Sequence, residues 1–141
     1  MDEARLQRAR VLFEQRRWEL AEKELHAYLA DESYWAKDRP REIVAASIAG
    51  SARVIGLYRD GAQVGLARVV SDDATQAYLA DVYVLEAHRG RGLGRALVEE
   101  AVERGPHANL KWLLHTADAH ALYRAFGFDT PSERVMERPR R

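Results

Sequence analysis

The sequence predicts a mixed α/β domain, in which helices cover the faces of a single β-sheet. Apolar residues make up 47% of its 141 residues, and no linker or low-complexity tract divides the chain. One domain with its own core is therefore expected over residues 1–141. Apolar residues follow strand patterns between residues 53 and 85, and they recur at helical spacing in residues 93–104. This succession of strands and helices is typical of mixed sheets.

Helices are predicted in the first fifty residues. Residues 4–30 are rich in strong helix formers, so a helix-rich N-terminal segment is expected over residues 1–30. Pro40 is expected at the first position of a short helix, where its missing N–H costs nothing, and Gly50 is expected to end that helix.

The strands of the sheet are predicted after this helix. Residues 54–58 and 63–70 are expected to form a hairpin around Asp60-Gly61. Residues 76–85 are apolar on both faces, which indicates a central strand. Residues 110–115 form a further short strand, and Phe128 with Val135-Met136 is expected to supply a closing pair of strands.

Two helices are expected between and after these strands. The helix over residues 93–104 carries a buried apolar stripe and ends at Gly105-Pro106. Asp118 is expected to cap the start of the last helix, and Gly127 is expected to end it. The sheet would therefore have helices packed on its faces.

Composition and charge argue against several classes of function. Lysine plus arginine and aspartate plus glutamate number 22 each, so overall charge does not favour binding to nucleic acid or to a membrane. The absence of cysteine removes thiolate metal sites and a cysteine nucleophile, and the histidines lack metal-ligand spacing, so no metal is expected. Neither a signal-peptide core nor a membrane-spanning stretch is present in the sequence, which predicts a cytoplasmic protein.

Residues 88–96 carry the most informative motif, His-Arg-Gly-Arg-Gly-Leu-Gly-Arg-Ala, between a strand and a helix. Alternate glycines at the start of a helix leave backbone N–H groups free to bind an anionic phosphate. The dinucleotide fingerprint would need its third glycine one residue after Gly94, and a P-loop would need Gly-Lys-Ser/Thr. A purely structural turn would need one glycine at positive φ rather than three. The pattern therefore favours a phosphate-binding turn.

Two motifs of this chain resemble those of the GNAT superfamily of acyl-CoA-dependent N-acetyltransferases. Arg89-x-x-Gly92-x-Gly94, after the strand that contains residues 81–85, resembles its acyl-CoA signature. Residues 122–128, Leu-Tyr-Arg-Ala-Phe-Gly-Phe, are similar to its Leu-Tyr-x-x-x-Gly-Phe segment. The resemblance covers about residues 20–138. Ser33-Tyr34-Trp35-Ala36 and Met136-Glu137 are similar to segments of a branch of short, single-domain bacterial members.

The resemblance also implies a particular sheet. It would be a central, mostly antiparallel sheet of about six to seven strands, flanked by helices and splayed between its fourth and fifth strands. Members of the superfamily normally begin with a strand. In this chain only residues 10–14 could supply it, within a segment that residue propensities predict to be helical. Strand and helix therefore both stay open for these residues.

The resemblance further implies a reaction, the transfer of an acetyl group from acetyl-CoA to a primary amine, directly within a ternary complex. Backbone amides of the glycine turn would bind the pyrophosphate, and the main chain of Val82 and Val84 would bind the pantetheine arm as an added strand would. The residues expected to bind the cofactor are Val82, Val84, Arg89, Gly90, Arg91, Gly92, Leu93, Gly94 and Arg95. Tyr123 would act as the general acid that protonates the departing thiolate, unless it only packs beside Leu122 and Phe126.

The sequence offers several candidates for the base that deprotonates the amine. Asp81 is the first candidate, because a carboxylate within an apolar strand is costly unless it is paired or takes up a proton. An ion pair with Arg68 on the neighbouring strand is the alternative. His115 and His120 are further candidates for a proton relay. His88 is expected either to assist phosphate binding or to be exposed.

The acceptor and the partners are described only broadly by the sequence. The acceptor is expected to be an amine of a small molecule or a protein, and Tyr34 and Trp35 would either hold its cation or fill the core. Sheet edges of this fold often pair, so a homodimer is a further expectation. Two other functions stay open, namely an acyl-CoA sensor without turnover and a protein-interaction domain with a GNAT-like fold.

Overall fold

A computed structural model describes residues 39–59 and 62–141 in full and the backbone of residues 5–7. In this part of the chain the sheet has five strands in the order β1-β2-β3-β4-β5. The first three pairings are antiparallel and the last one is parallel. The strands are β1 (Arg5–Gln7), β2 (Arg53–Arg59), β3 (Ala62–Ser71), β4 (Gln76–Val84) and β5 (Lys111–Leu114). A mixed, mostly antiparallel sheet is thereby confirmed.

Helices pack on both faces of this sheet. They are α1 (Arg41–Ala49), α2 (Leu93–Val102) and α3 (His120–Arg124), with a 3-10 turn at Glu86–His88. Val54 belongs to the core cluster that contains α1, whereas Ile55 belongs to the cluster that contains α2 and Tyr123 of α3. Because neighbouring residues of a strand face opposite sides, α1 lies on one face and α2 and α3 lie on the other.

Several predicted elements are confirmed with small shifts of their ends. The hairpin strands, the central strand and the helix after the glycine turn all form. Pro40 is the N-cap of α1 rather than its first residue, and Gly50 ends the helix as predicted. Asp118 does not cap α3; the backbone N–H of Ala119, the residue before the helix, donates instead to Thr116 Oγ1 at 3.1 Å.

The predicted number of strands is wrong for the described part of the chain, which has five strands rather than six to seven. Phe128 and Val135-Met136 were expected to pair as strands, but residues 125–141 contain none. Met136 is 94% exposed, and prolines at positions 131 and 139 remove backbone donors on either side of it. This segment therefore buries no alternating apolar face against the sheet. The first strand of the sheet, for which residues 10–14 were the only candidate, is instead β1 at Arg5–Gln7, inside the segment predicted to be rich in helices. Residues 10–14 and the Asp60-Gly61 turn lie outside the described residues.

Strand β4 changes its partners along its length. It pairs with β5 only from Gln76↔Lys111 to Leu79↔Leu114, although it continues to Val84. On its other side, the register with β3 shifts between Leu66 and Arg68. Asp81 lies opposite this irregularity with φ of 52°, which is the backbone signature of a bulge. The edge of β4 after residue 79 is therefore no longer covered by β5, at the place where the predicted splay would lie.

Candidate active site

The glycine turn between β4 and α2 presents a run of unpartnered backbone donors. Gly90 and Gly92 have φ of 78° and 76°, and Gly92 is the N-cap of α2. Within the described residues, no protein acceptor binds the N–H groups of residues 90–95. A Cβ atom added at Gly90 would have no heavy atom within 4 Å. The turn is thus open to solvent at the positive end of a ten-residue helix, which suits an anion.

Two arginines of the turn contact the protein. Arg89 Nε donates to the carbonyl oxygen of Val84 at 2.8 Å, and the Arg95 guanidinium lies 5.2 Å from the centre of the Phe126 ring. Arg91 is exposed. His88 is half-buried, and its Nδ1 atom has no hydrogen-bond partner among the described residues. These contacts hold two of the positive charges of the turn close to β4 and to Phe126, which follows the end of α3.

Near the glycine turn, peptide groups of β4 point away from β3, toward the side on which β5 no longer pairs with it. Gly65 and Val84 are opposite each other, and the N–H of Leu85 donates to Val64 O at 2.8 Å. In an antiparallel ladder this pattern makes Gly65↔Val84 a non-hydrogen-bonded pair, so the N–H and C=O of Val84 point away from β3. Val82, two residues earlier, has the same orientation by alternation. These two residues match the expected position of a strand-like ligand.

The second motif is explained by how α3 ends. Gly127 has φ of 86°, its N–H donates to Arg124 O at 3.1 Å, and the N–H of Phe128 donates to Tyr123 O at 3.2 Å. These bonds form a Schellman motif, which requires glycine at the left-handed position. The turn places the Phe128 ring edge-on to the Tyr123 ring, with centroids 6.0 Å apart. The spacing Tyr-x-x-x-Gly-Phe therefore fixes the orientation of Tyr123.

Tyr123 lines a cavity of about 740 Å³ between β5, α3 and the C-terminal segment. The residue is 9% exposed. Polar side chains in the same cavity wall include Tyr78, His115, His120 and Glu137. Of the residues proposed from sequence to handle protons, the structure thus brings Tyr123, His115 and His120 to one cavity.

Asp81 lies apart from that cavity wall, in a buried ion-pair network beneath α1. Its Oδ2 atom accepts from Arg68 Nε at 2.9 Å and from Arg39 at 3.2 Å, and its side chain is 3% exposed. Arg68 also donates to Ser51 Oγ at 3.2 Å. The ion pair with Arg68, the alternative to the catalytic base, is present. The carboxylate oxygens are already engaged by guanidinium groups, which leaves little access for an amine.

A hydrogen-bonded chain that the sequence did not predict crosses the same cavity. The Tyr78 hydroxyl contacts His115 Nδ1, and His115 Nε2 lies 2.5 Å from Glu137 Oε2. Burial raises the pKa of the Tyr78 hydroxyl, and the negative charges of Asp81 and Glu137 raise it further. Sequence reasoning named His115 alone. Tyr78 pairs with Leu113 in the β4–β5 register, and this register, which no local sequence pattern encodes, brings Tyr78 close to His115.

Some expectations have no structural counterpart. Tyr34 and Trp35 lie outside the described residues. Among the residues described, no three His, Cys, Asp or Glu side chains cluster as metal ligands would. Nor does any helix in residues 39–59 and 62–141 have the length and apolar character needed to cross a membrane.

Known proteins share both the sequence pattern and the fold. The family model of the GNAT acetyltransferases matches residues 12–128. A solved structure from Xanthomonas campestris pv. campestris, assigned to the GNAT family, is 41% identical, with a TM-score of 0.78 over 84% of each chain. A protein of Gibberella zeae assigned as an acetyltransferase is 31% identical over 122 residues, which is 72% of this chain and 68% of that protein.

A third likeness concerns the fold alone. A structure from Clostridium acetobutylicum, determined with acetyl-CoA, is 14% identical and has a TM-score of 0.68 over 87% of this chain and 90% of its own. The predicted enzyme class, an acetyltransferase, is confirmed by the family match and the 41% identical relative. On that evidence, the chain belongs to the GNAT family of acetyltransferases.

Proposed function

We propose that the protein transfers the acetyl group of acetyl-CoA to a primary amine, directly and within a ternary complex. One observation carries the proposal: a run of unpartnered backbone amides at residues 90–95 adjoins the uncovered edge of β4. The first feature suits a pyrophosphate and the second suits the amide groups of a pantetheine arm. Acetyl-CoA bound to the Clostridium acetobutylicum relative agrees with this choice of donor.

The donor would lie along residues 82–95. Amides of the glycine turn would donate to the pyrophosphate, and each hydrogen bond to a charged group contributes about 1.5–3 kcal/mol. The Val84 carbonyl already accepts from Arg89, so the pantetheine arm would use the Val84 N–H and the peptide groups of Val82. The arm would then enter the gap that begins where β5 leaves β4, after Leu79↔Leu114.

The transfer needs two proton movements. A lysine-like amine has a pKa of about 10.4, so it must lose a proton before it can attack the thioester carbonyl. The tetrahedral intermediate then expels the CoA thiolate, which gains a proton. Tyr123 is proposed as the donor of that proton, because it is buried at the wall of the cavity and is oriented by Phe128.

Thermal unfolding and a thiol-release assay test this function. Acetyl-CoA at a hundred times its dissociation constant should stabilise the fold by about 2.7 kcal/mol. Released thiol and N-acetylated product should appear together with at least one of spermidine, lysine, a lysine-containing peptide or an aminoglycoside. Stabilisation without product from any amine would favour a sensor over an enzyme. No stabilisation at all would contradict donor binding.

Substitution of Tyr123 tests the general acid. Tyr123→Phe should lower kcat by about a hundredfold while the KM for acetyl-CoA stays close to that of the unaltered protein. Tyr58→Phe is the matched control, because Tyr58 lies on β2, outside the cavity wall, and its hydroxyl donates a 3.3 Å hydrogen bond to Gln63. Equal turnover by both variants would remove Tyr123 from the mechanism.

A further inference from the structure

Three side chains from separate parts of the sequence form a continuous series of hydrogen bonds, namely Tyr78, His115 and Glu137. Tyr78 lies on β4, His115 directly follows β5, and Glu137 belongs to the C-terminal segment. The rings of Tyr78 and His115 have centroids 5.6 Å apart and are tilted by 45°. His115 Nε2 lies 2.5 Å from Glu137 Oε2. All three side chains line the cavity that also contains Tyr123.

The partners define the direction in which a proton would move. A carboxylate can only accept, so Glu137 holds the hydrogen on Nε2 of the neutral imidazole. Nδ1 is then the acceptor for the Tyr78 hydroxyl. Tyr78 is the first residue of this hydrogen-bonded series. Its hydroxyl oxygen keeps lone pairs that can accept a further hydrogen from a group in the cavity. A proton that arrives at Tyr78 can thus be passed to His115 without a free phenolate being formed.

We propose that Tyr78, His115 and Glu137 form the proton relay that deprotonates the acceptor amine. This inference rests on the proposed function. It replaces Asp81 as base, because the oxygens of Asp81 are engaged by Arg68 and Arg39. The relay is also positioned for release of its proton, since the side chains of His115 and Glu137 are 66% and 65% exposed.

The protons and electrons balance over one turnover. The ammonium group of the acceptor gives a proton to the Tyr78 oxygen, while the Tyr78 hydroxyl proton moves to His115 Nδ1 and forms an imidazolium beside Glu137. The free amine attacks the thioester carbonyl carbon, a C–N bond forms, and the C–S bond then breaks with its electron pair on sulfur. The second proton of the amine nitrogen reaches the thiolate through Tyr123. The imidazolium finally loses its proton to solvent.

Other charged groups surround the relay. Asp81 and Arg68 act on Tyr78 from the side of α1, with opposite effects on its ionisation. Arg124, Asp129 and Arg138 line the same cavity wall. The amine would therefore enter a cavity of mixed charge. Its proton would go to Tyr78 because Tyr78 is hydrogen-bonded to His115, and not because negative charge is in excess there.

Rate measurements over about pH 6 to 10 test the relay, with the amine of highest turnover from the four-amine panel. Tyr78→Phe and His115→Gln should each lower kcat/KM by about a hundredfold at neutral pH. The deficit should shrink as the pH rises, because a growing fraction of the amine is then already unprotonated. Glu137→Gln should lower the rate less, since it removes only the charge that stabilises the imidazolium. Glu133→Gln, an exposed change in the same segment, should match the unaltered protein.

The outcomes separate the relay from the function on which it rests. Turnover by the unaltered protein together with full activity of Tyr78→Phe and His115→Gln would overturn the relay and leave the acetyltransferase in place. A loss of equal size at every pH would also overturn it, because a structural defect does not depend on amine ionisation. Failure of the unaltered protein with every amine would overturn both.

A spectroscopic readout is independent of turnover. In the intact protein, nitrogen NMR should detect the His115 tautomer that is protonated at Nε2, and Tyr78→Phe should shift the Nδ1 resonance. The opposite tautomer would overturn the direction of the relay.

Discussion

The carbonyl oxygen of Val84 accepts a hydrogen bond from Arg89 Nε at 2.8 Å, which joins the end of β4 to the glycine turn. This contact spans the 3-10 turn at Glu86–His88 and links two residues that are five positions apart. It holds the unpartnered amides of residues 90–95 beside the uncovered edge of β4. The Arg89 side chain therefore fixes the position of the glycine turn relative to the edge of β4, the two parts of the proposed donor site.

Arg89→Ala should weaken acetyl-CoA binding without preventing folding. The turn would lose its tie to β4 and one nearby positive charge, and we expect the dissociation constant to rise about tenfold, or about 1.4 kcal/mol. Isothermal titration with acetyl-CoA measures the change. Arg104→Ala is the control, because Arg104 follows the end of α2, is exposed, and pairs with the exposed Glu99 at 3.4 Å. Equal affinities for the two variants would contradict the role of Arg89.

The glycines at positions 90 and 94 should respond oppositely to alanine. Gly90 has φ of 78°, and an L-residue there is strained by about 1–2 kcal/mol even though the space is open. Gly94 lies within α2, and its added Cβ would meet only Val84 Cγ2 at 4.0 Å. Gly94→Ala should therefore stabilise the helix by up to about 1 kcal/mol.

Chemical denaturation measures the free energy of unfolding of both alanine variants. It is done without ligand, so that changes in acetyl-CoA binding do not affect the comparison. If Gly94→Ala lowered the free energy of unfolding as much as Gly90→Ala does, the two glycines would not differ in their conformational requirements.

The ion-pair role of Asp81 predicts a loss of stability. Asp81→Asn removes the carboxylate that Arg68 and Arg39 share, and breaking a buried pair on one side costs about 3 kcal/mol. We expect a lower midpoint of denaturation, together with a turnover number that falls by less than tenfold in the fraction that stays folded. Were Asp81 also the base, kcat would collapse even in the fraction that stays folded. Ser132→Ala, in the exposed C-terminal segment, serves as the reference for stability.

The parts of the site that depend on local sequence could be predicted, and the parts that depend on register could not. Alternate glycines before a helix and the spacing from Tyr123 to Gly127 each encode a local backbone conformation, so the turn and the orientation of Tyr123 follow from the residues themselves. The pairing of Asp81 with Arg68 depends on which residues of β3 and β4 face each other, and a bulge shifts that register. The hydrogen bonds from Tyr78 through His115 to Glu137 join segments that are 59 residues apart, and sequence patterns give no distance between such segments.

The ionisation of Tyr78 should give the fold an alkaline limit. Burial raises the pKa of its hydroxyl above the ordinary value of 10.0, the charges of Asp81 and Glu137 add to the rise, and Arg68 opposes it. The folded state therefore binds this proton more tightly than the unfolded state does. The resulting stability is fully present at a pH below the ordinary pKa and is lost as the pH rises toward the raised pKa.

Glu137→Gln removes one of the charges that raise the pKa, so Tyr78 should ionise at a lower pH in that variant. Ultraviolet absorbance of tyrosinate measures the shift, and Tyr78→Phe identifies the transition that belongs to Tyr78. An unshifted transition in Glu137→Gln would mean that Glu137 does not act on Tyr78, and the chain through His115 would then have no electrostatic effect at its first residue.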